Sequence, residues 1–483
     1  MLKQGFDPAP NVKVMFNIGA LMDIPTGTYM KGQHGENILL GGLGSLTGVV
    51  GTGNSFKSTV LHYMMLSAMD RIMSSVETSA STYDTEINMH EHRLAHFAEQ
   101  FEHLAGKDII QNGTWVITDK TVYYANEWYE RLKDFLKSKK DQGKKLEHET
   151  PFLDRDGKTT IKYLVPTFSE VDSFSEFETA DVAKMQAENE LGDSGANTIH
   201  MRQGLAKTRF FMDVPTMIGI HHHFLLITAQ MGKDLAVASG PYAAPPAKKL
   251  QHMKQGDKIK GVTDKFFFFM SNCWHVVKAA PLINQNTKGP EYPANPDDNM
   301  PGDTDLNVIS MIQLRSKSGL TGYTIDLLVS QRDGVLPSLS EFHYIKAAER
   351  FGISGTLHSY SLDLMPDVKL GRTTVRSKLD ADPKLRRAMT ITAELCQIHQ
   401  FYRYDKEDLC TPKEVFDFFT KEGYDLDMIL GQTRGWWTFD NDKQPLQFLS
   451  TKDIIEVVKK GAKIYWLEDD KKTIKPEFAK YMK

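Results

Sequence analysis

Between about residues 45 and 350, short apolar runs alternate with stretches of helical periodicity. That rhythm predicts an α/β core of βαβ units around a mostly parallel sheet flanked by helices. The expected strands are "SLTGVVG", "SASTYDT", "GTWVIT", "VPTFSEVD", "HFLLITAQ", "KFFFFMSNCWHVVKA", "NVISMIQLR" and "YTIDLLVS". Helices fit between several of them, for example from Ser58 to about Ser74 and from Ala125 to Lys139. The first 35 residues carry few helix signals, and "DPAP" marks an extended arm. Three stretches break the rhythm. "LKSKKDQGKKLEHETPFLDRDGKTTIKYLVP" reads as a basic linker leading into a hairpin turned at "DRDG". Residues 232–265 are rich in Gly, Pro and Lys, and residues 281–305 carry five prolines with Asn and Asp, the composition of a long surface loop. From about 355 the pattern turns mostly helical, with Trp436, Trp437 and Trp466. The expected organisation is an N-terminal arm (1–35), a core (36–354) with insertions near 140–166 and 281–305, and a smaller, mainly helical C-terminal domain (355–483).

Composition adds limits rather than a function. With 41% hydrophobic and 25% charged residues and a net charge of −4, the whole chain makes no case for nucleic acid. Any such site must be a local basic patch. Cys273, Cys396 and Cys410 form no C-x-x-C pair, which favours a reducing compartment. No apolar run approaches the roughly 20 residues of a membrane span, and the N-terminus lacks a signal-peptide core. A cytoplasmic location, without a membrane partner, is the expectation. "HHH" at 221–223 and "HEH" at 90–92 invite a metal reading, yet neither has partners at ligand spacing.

Chemistry enters at "GTGNSFKSTV", residues 51–60, which follows G-x-x-x-x-G-K-[ST] except that Phe56 replaces the second glycine. A phosphate loop needs a strand, a tight turn, and backbone N–H groups converging at a helix N-terminus. It also needs a lysine for the β/γ-phosphates and a hydroxyl for Mg²⁺. The apolar "SLTGVV", the permissive Gly51 and Gly53, and the helical "STVLHYMMLSAM" provide that setting. Thr52, Asn54, Ser55 and Phe56 complete the loop, Lys57 and Ser58 take the phosphate and Mg²⁺ positions, and Thr59 offers a second hydroxyl. Phe56 keeps its backbone amide, so its side chain must point away from the phosphates.

"GTGNSFKST" resembles the Walker A loop of the UvsX group, tailed-phage relatives of RecA, in which an S-F-K-S run replaces the usual glycine. The resemblance continues in order along about 300 residues. "TYDTEIN" looks like the family's D-x-E strand end, which implies Glu86 as the base that polarises the attacking water. "LGDSGANTIHMRQGLAKTRFF" resembles the segment holding the first DNA-binding loop, with Arg202, Lys207 and Arg209. "LLITAQMGKD" resembles the strand whose terminal amide senses the γ-phosphate, giving Gln230. The stretch after it has seven lysines against three aspartates between Lys233 and Lys265 and takes the place of the second DNA loop. Lys248, Lys249, Lys254, Lys258 and Lys260 would contact the backbone of single-stranded DNA there. "IQLRSKSG" resembles the basic pair that reaches a neighbouring subunit's ATP, giving Arg315 and Lys317. "DGVLPSLSEFHYIKAAERFGI" looks like the segment closing the core.

Two features depart from the family. The Walker B strand, usually apolar before its aspartate, reads "TFSEVDS", placing Asp172 behind Ser169 and Glu170. The N-terminal arm lacks the helix that RecA relatives hook onto the next subunit. The resemblance implies a DNA-dependent ATPase with ATP and Mg²⁺ as cofactors. It would assemble as a homo-oligomer on single-stranded DNA and promote homologous pairing and strand exchange. A ring-forming, DnaB-like helicase motor and a nucleotide-switched DNA-binding or structural protein without turnover remain open beside it.

Overall fold

A computed structural model of the chain describes residues 13–154, 156–188, 196–233, 248, 250–297, 300–356, 359–402, 406–439 and 446–479. Among these, ten strands form one central sheet. They are β1 (Leu46–Gly51), β2 (Ala80–Asp84), β3 (Trp115–Asp119), β4 (Thr167–Asp172), β5 (His223–Lys233), β6 (Asp257–Ile259), β7 (Asn272–Pro281), β8 (Leu306–Ser316), β9 (Thr324–Ser330) and β10 (Gly334–Val335). Their lateral order is β10-β9-β8-β7-β1-β5-β4-β2-β3, with β6 paired to the end of β5. The six strands from β7 to β3 run parallel, and β8, β9 and β10 extend the sheet antiparallel.

Helices on both faces make the parallel block possible, because parallel neighbours need crossovers that cover the sheet. The main ones are α1 (Lys57–Met73), α2 (Glu91–Ala98), α3 (Ala125–Gln142) and α4 (Ala196–Ile220). On β5, Phe224 and Leu226 join the core containing α1, whereas Leu225, Ile227 and Ala229 join the core containing α3 and α4. Two buried faces explain why "HFLLITA" is continuously apolar rather than alternating. α1 is buried on nearly every side, from Val60 to Ile72.

Several sequence expectations change. "KFFFFM" is a helix (Asp264–Phe269), and the strand begins only at Asn272. An extended Thr263 before it and Asp264 in its first turn are helix-start signals that outweigh aromatic β-propensity. The described part of the N-terminal arm is no free arm. Val14, Phe16 and Ile18 are buried, Phe16 pairs with Leu43, and its ring stacks on Trp437 at 4.6 Å. "DPAP" itself lies outside the described residues. The proline-rich stretch 281–305 is docked rather than loose. Its Tyr292 is buried edge-on against Phe342, and Arg372 donates to the carbonyls of Pro290 and Glu291.

The C-terminal region opens with a three-stranded antiparallel sheet (Ile353–Thr356, Ser359–Leu362, Met365–Leu370) before its helices begin. No break in packing marks residue 355, because one apolar core runs from Val14 to Leu467. Polar contacts reinforce it: Gln397 donates to the Leu21 carbonyl and Trp437 Nε1 to the Met15 carbonyl. The expected hairpin is present as Glu147–Leu153 and Thr160–Leu164. Its Phe152 meets Trp437 edge-on, so this insertion also belongs to the shared core.

One buried acid in that core sets a pH dependence. Glu341 lies on the helix Pro337–Ala347, where Thr390 Oγ1 donates to it at 3.1 Å. Burial pushes its carboxyl up to about 8, with Glu394 and Asp23 adding to the rise. A raised folded-state pKa means the folded chain holds a proton that the unfolded chain releases near the ordinary glutamate value. The stability this proton gives is complete at low pH and is lost as pH climbs towards 8. Glu341→Gln therefore gains Tm relative to the unsubstituted chain as pH rises from 5 to 8. The gain is at most about 1.4 kcal/mol per pH unit. A Tm difference that stays constant across this range would refute the assignment.

Candidate nucleotide site

β1 ends at Gly51, where an added Cβ would lie 2.7 Å from Ser55 Oγ, so the turn needs glycine. Ser55 Oγ then donates to the Thr52 carbonyl at 2.8 Å and closes the loop. Thr52, Gly53 and Asn54 are exposed on its crest. Among the described residues, no side chain caps the N-terminus of α1. Its first N–H groups thus lack a capping side-chain partner, the arrangement that receives an anion. Lys57 opens the helix and reaches back to the Thr52 carbonyl at 2.7 Å. Burial lowers its ammonium pKa, and Asp172 and Glu86 push it back up.

Phe56 adopts φ 62° and ψ 21°, the left-handed conformation for which glycine is the usual choice. Its ring packs partly buried against the large core. That packing accounts for a bulky residue at a position with a backbone cost of about 1–2 kcal/mol. Phe56→Gly loses the packing but relieves the strain, whereas Phe56→Ala loses the packing and keeps the strain. Phe56→Gly should therefore unfold at higher denaturant than Phe56→Ala, by about 1 kcal/mol. The reverse order would show that the left-handed conformation is wrong.

Two carboxylates, Asp172 and Glu86, face the loop across the cleft, with Asp84 buried beneath Glu86. Asp172, at the end of β4, is bonded by Ser58 and by Thr228 Oγ1. Burial raises its carboxyl, as does Glu170, against the lowering effect of those two hydroxyls. Ser58 and Asp172 together offer two oxygen donors suited to Mg²⁺. Asp84, at the end of β2, accepts the N–H groups of Glu86, Ile87, Asn88 and Met89 at 2.7–2.9 Å. This turn holds Glu86 in place. Its carboxylate receives Ser173 Oγ at 2.9 Å, Asn88 Nδ2 at 3.1 Å and Gln230 Nε2 at 3.5 Å. Gln230 sits on β5 directly across from Gly51.

The polar residues of β4 have a structural reason. Ser169 pairs with Ser81 on β2 at 2.7 Å. Glu170, fully buried, receives Thr82 Oγ1 at 2.9 Å and faces His62 Nε2 at 3.0 Å. Trp115 Nε1 in turn donates to Thr82 at 2.8 Å. Burial disfavours the His62 cation, but Glu170 outweighs it and raises the pKa. Ser58 and His62, one turn apart on α1, thus contact Asp172 and Glu170 on β4. The strand is polar because α1 above it and β2 beside it supply partners.

Residues 53–59, His62, Glu86, Asn88, Asp172 and Gln230 line one cleft of about 650 Å³ that also includes His90, Arg93, Phe97, Asn307 and Gln331. Arg93 Nη2 lies 3.5 Å from Thr59 Oγ1 and 3.4 Å from the Gln331 carbonyl, and its guanidinium covers Phe97. Sequence reading passed over Thr228, Ser173 and Arg93, and gave Asp84, the first residue of the D-x-E strand end, no role of its own. Asp84 carried a usable signal, since an aspartate closing an apolar strand commonly caps the turn that follows.

Other candidates lie elsewhere. Arg315 pairs with Cys273, and Cys273 pairs with Gly48, three residues before the loop begins. Arg315 and Lys317 donate to the carbonyls of Phe268 and Phe269 at 3.4 and 3.0 Å. Neither is among the residues lining this chain's own cleft. Lys317 follows Ser316, the last residue of β8, and both side chains reach the same neighbouring segment. Arg202 and Arg209 are exposed on α4, with Arg209 3.7 Å from Asp213. Lys207 is a correction. It is buried, donates to the carbonyls of Phe174 and Ser175, and its pKa is pulled down to about 8 by burial. It cannot contact DNA from there. Lys248, Lys254, Lys258 and Lys260 are exposed, and Lys249 lies outside the described residues. No family profile matches the chain, and no curated protein is found to be similar to it.

Proposed function

We propose that the chain is a RecA-type ATPase that binds single-stranded DNA, assembles with copies of itself, and promotes homologous pairing and strand exchange. The observation that carries this reading is the convergence on one cleft of Lys57, Ser58, Asp172, Glu86 and Gln230, at the carboxyl ends of parallel strands. That is where open α/β sheets bind ligands. The residues fit ATP through the uncapped α1 N-terminus and Lys57, and fit Mg²⁺ through Ser58 and Asp172. The metal would neutralise charge developing on the phosphates.

Glu86 acts as the base, orienting a water and accepting its proton. Its carboxylate is held by Ser173 and Asn88, so little reorganisation is required. Gln230, within 3.5 Å of that carboxylate, reports the state of the terminal phosphate to β5. Arg315 and Lys317 serve a neighbouring copy's cleft, because their own lies at the other end of β1. Arg202 and Arg209 on α4, with Lys248, Lys254, Lys258 and Lys260, supply the cationic track for the DNA backbone.

The test is ATP hydrolysis with and without single-stranded DNA, at low and moderate salt. Strong stimulation that weakens with salt supports the reading, and imaging then separates filament from ring. Tight ATP binding without turnover would leave a nucleotide-switched binding protein instead.

A further inference from the structure

The turn that follows Asp172 carries a contact set that the ATPase reading does not use. Phe174–Glu176 forms one turn of 3-10 helix, and Ser175 sits at its centre. Ser175 Oγ accepts the Gln230 N–H at 3.0 Å and donates to the Lys260 carbonyl at 3.1 Å. The Ser175 carbonyl accepts Lys207 Nζ from α4 at 3.0 Å. A Cβ on Gly261 would fall 2.6 Å from Ser175 Cα and from its carbonyl oxygen, so that segment lies directly against the turn. The Lys260 N–H closes the circuit by donating to the Gln230 carbonyl at 2.8 Å.

We propose that Ser175 is a positioning residue through which the nucleotide cleft and the two cationic DNA elements sense each other. This rests on the function proposed above and adds the route of its regulation. Four elements meet at this residue: the end of β4, the Gln230 position of β5, α4 with Arg202 and Arg209, and the Lys258–Gly261 segment. A hydroxyl has one proton to donate. Ser175 spends it on Lys260 while its lone pair holds Gln230. A movement of the Gln230 backbone that follows its side chain towards a terminal phosphate must therefore carry Lys260 with it or break one of the two bonds. The burial of Lys207 follows from the same arrangement, since its ammonium ties α4 to this turn instead of facing solvent. Coupling of this kind works in both directions: DNA must change nucleotide affinity by the factor with which nucleotide changes DNA affinity.

The experiment measures the Kd of a fluorescent oligothymidylate with and without a non-hydrolysable ATP analogue, and the analogue's own Kd. It uses the full chain, Ser175→Ala, Ser175→Thr and Lys207→Met. In the unsubstituted chain the analogue should shift oligonucleotide affinity by about 5- to 150-fold. Ser175→Ala should bring that factor close to one with the analogue's Kd little changed, and Ser175→Thr should restore it. Lys207→Met, which severs only the α4 arm, should lower the factor and provides the reading if Ser175→Ala fails to fold. Full coupling in both Ser175→Ala and Lys207→Met overturns the inference and leaves the ATPase reading standing. Absence of coupling in the unsubstituted chain overturns both.

Discussion

Lys57→Ala should lose ATP turnover by about 10²–10³-fold, the usual cost of one preorganised charge at a developing anion, and should bind ATP more weakly. Lys57 is the first residue of α1, and its ammonium bridges the loop to the Thr52 carbonyl. Asp172 and Glu86 lie close enough to favour its charged form. Without it those two carboxylates face the triphosphate with less compensation, so affinity and rate fall together. Stability should change little, because the described side chain makes one hydrogen bond, at a part-exposed position. Lys57→Arg should not rescue activity, since a planar guanidinium cannot occupy the place of a compact ammonium in a tight loop. The measurement is steady-state ATPase with single-stranded DNA, paired with analogue binding. Turnover at the original rate in Lys57→Ala would show that the cleft described here is not where ATP is hydrolysed.

What sequence could reveal follows from which interactions are local. β1 and β5 were legible because a parallel strand buried on both faces reads as an apolar run, and the antiparallel β8 and β9 were legible from their Val, Ile and Leu residues. α1 and α3 were legible from periodicity. The strand–turn–helix setting of residues 51–60 was legible because its geometry is fixed within ten residues. Phe56 could be recognised as discordant, but its packing against the core is a tertiary fact. The polar sequence of β4 was misleading for the same reason. Nothing in "TFSEVD" indicates that His62, some hundred residues earlier, sits above Glu170. Lys207 shows the converse: a lysine in a basic helical segment reads as solvent-facing, and only the carbonyls of Phe174 and Ser175 reveal why it turns inward. The N-terminal and C-terminal portions looked separable because their shared core joins residues some 400 apart, a separation no local pattern records.

Glu86→Gln should separate chemistry from binding. The amide matches the carboxylate in shape and can still accept Ser173 Oγ, so the Asp84 turn and the cleft survive the change. What it cannot do is take a proton from water. Turnover should therefore fall by about 10²–10⁴-fold, the contribution of a positioned general base, while ATP affinity stays close to that of the unsubstituted chain. The trapped ATP-bound state should then hold single-stranded DNA longer, because release awaits hydrolysis. Asp84→Ala provides the contrast: it strands four backbone N–H groups, so stability, binding and rate should fall together. Stopped-flow turnover and DNA dissociation on the same preparations distinguish these outcomes. A Glu86→Gln variant that keeps its rate, beside an inactive Asp172→Asn, would move the base away from the end of β2. The cleft would then need a different proton acceptor.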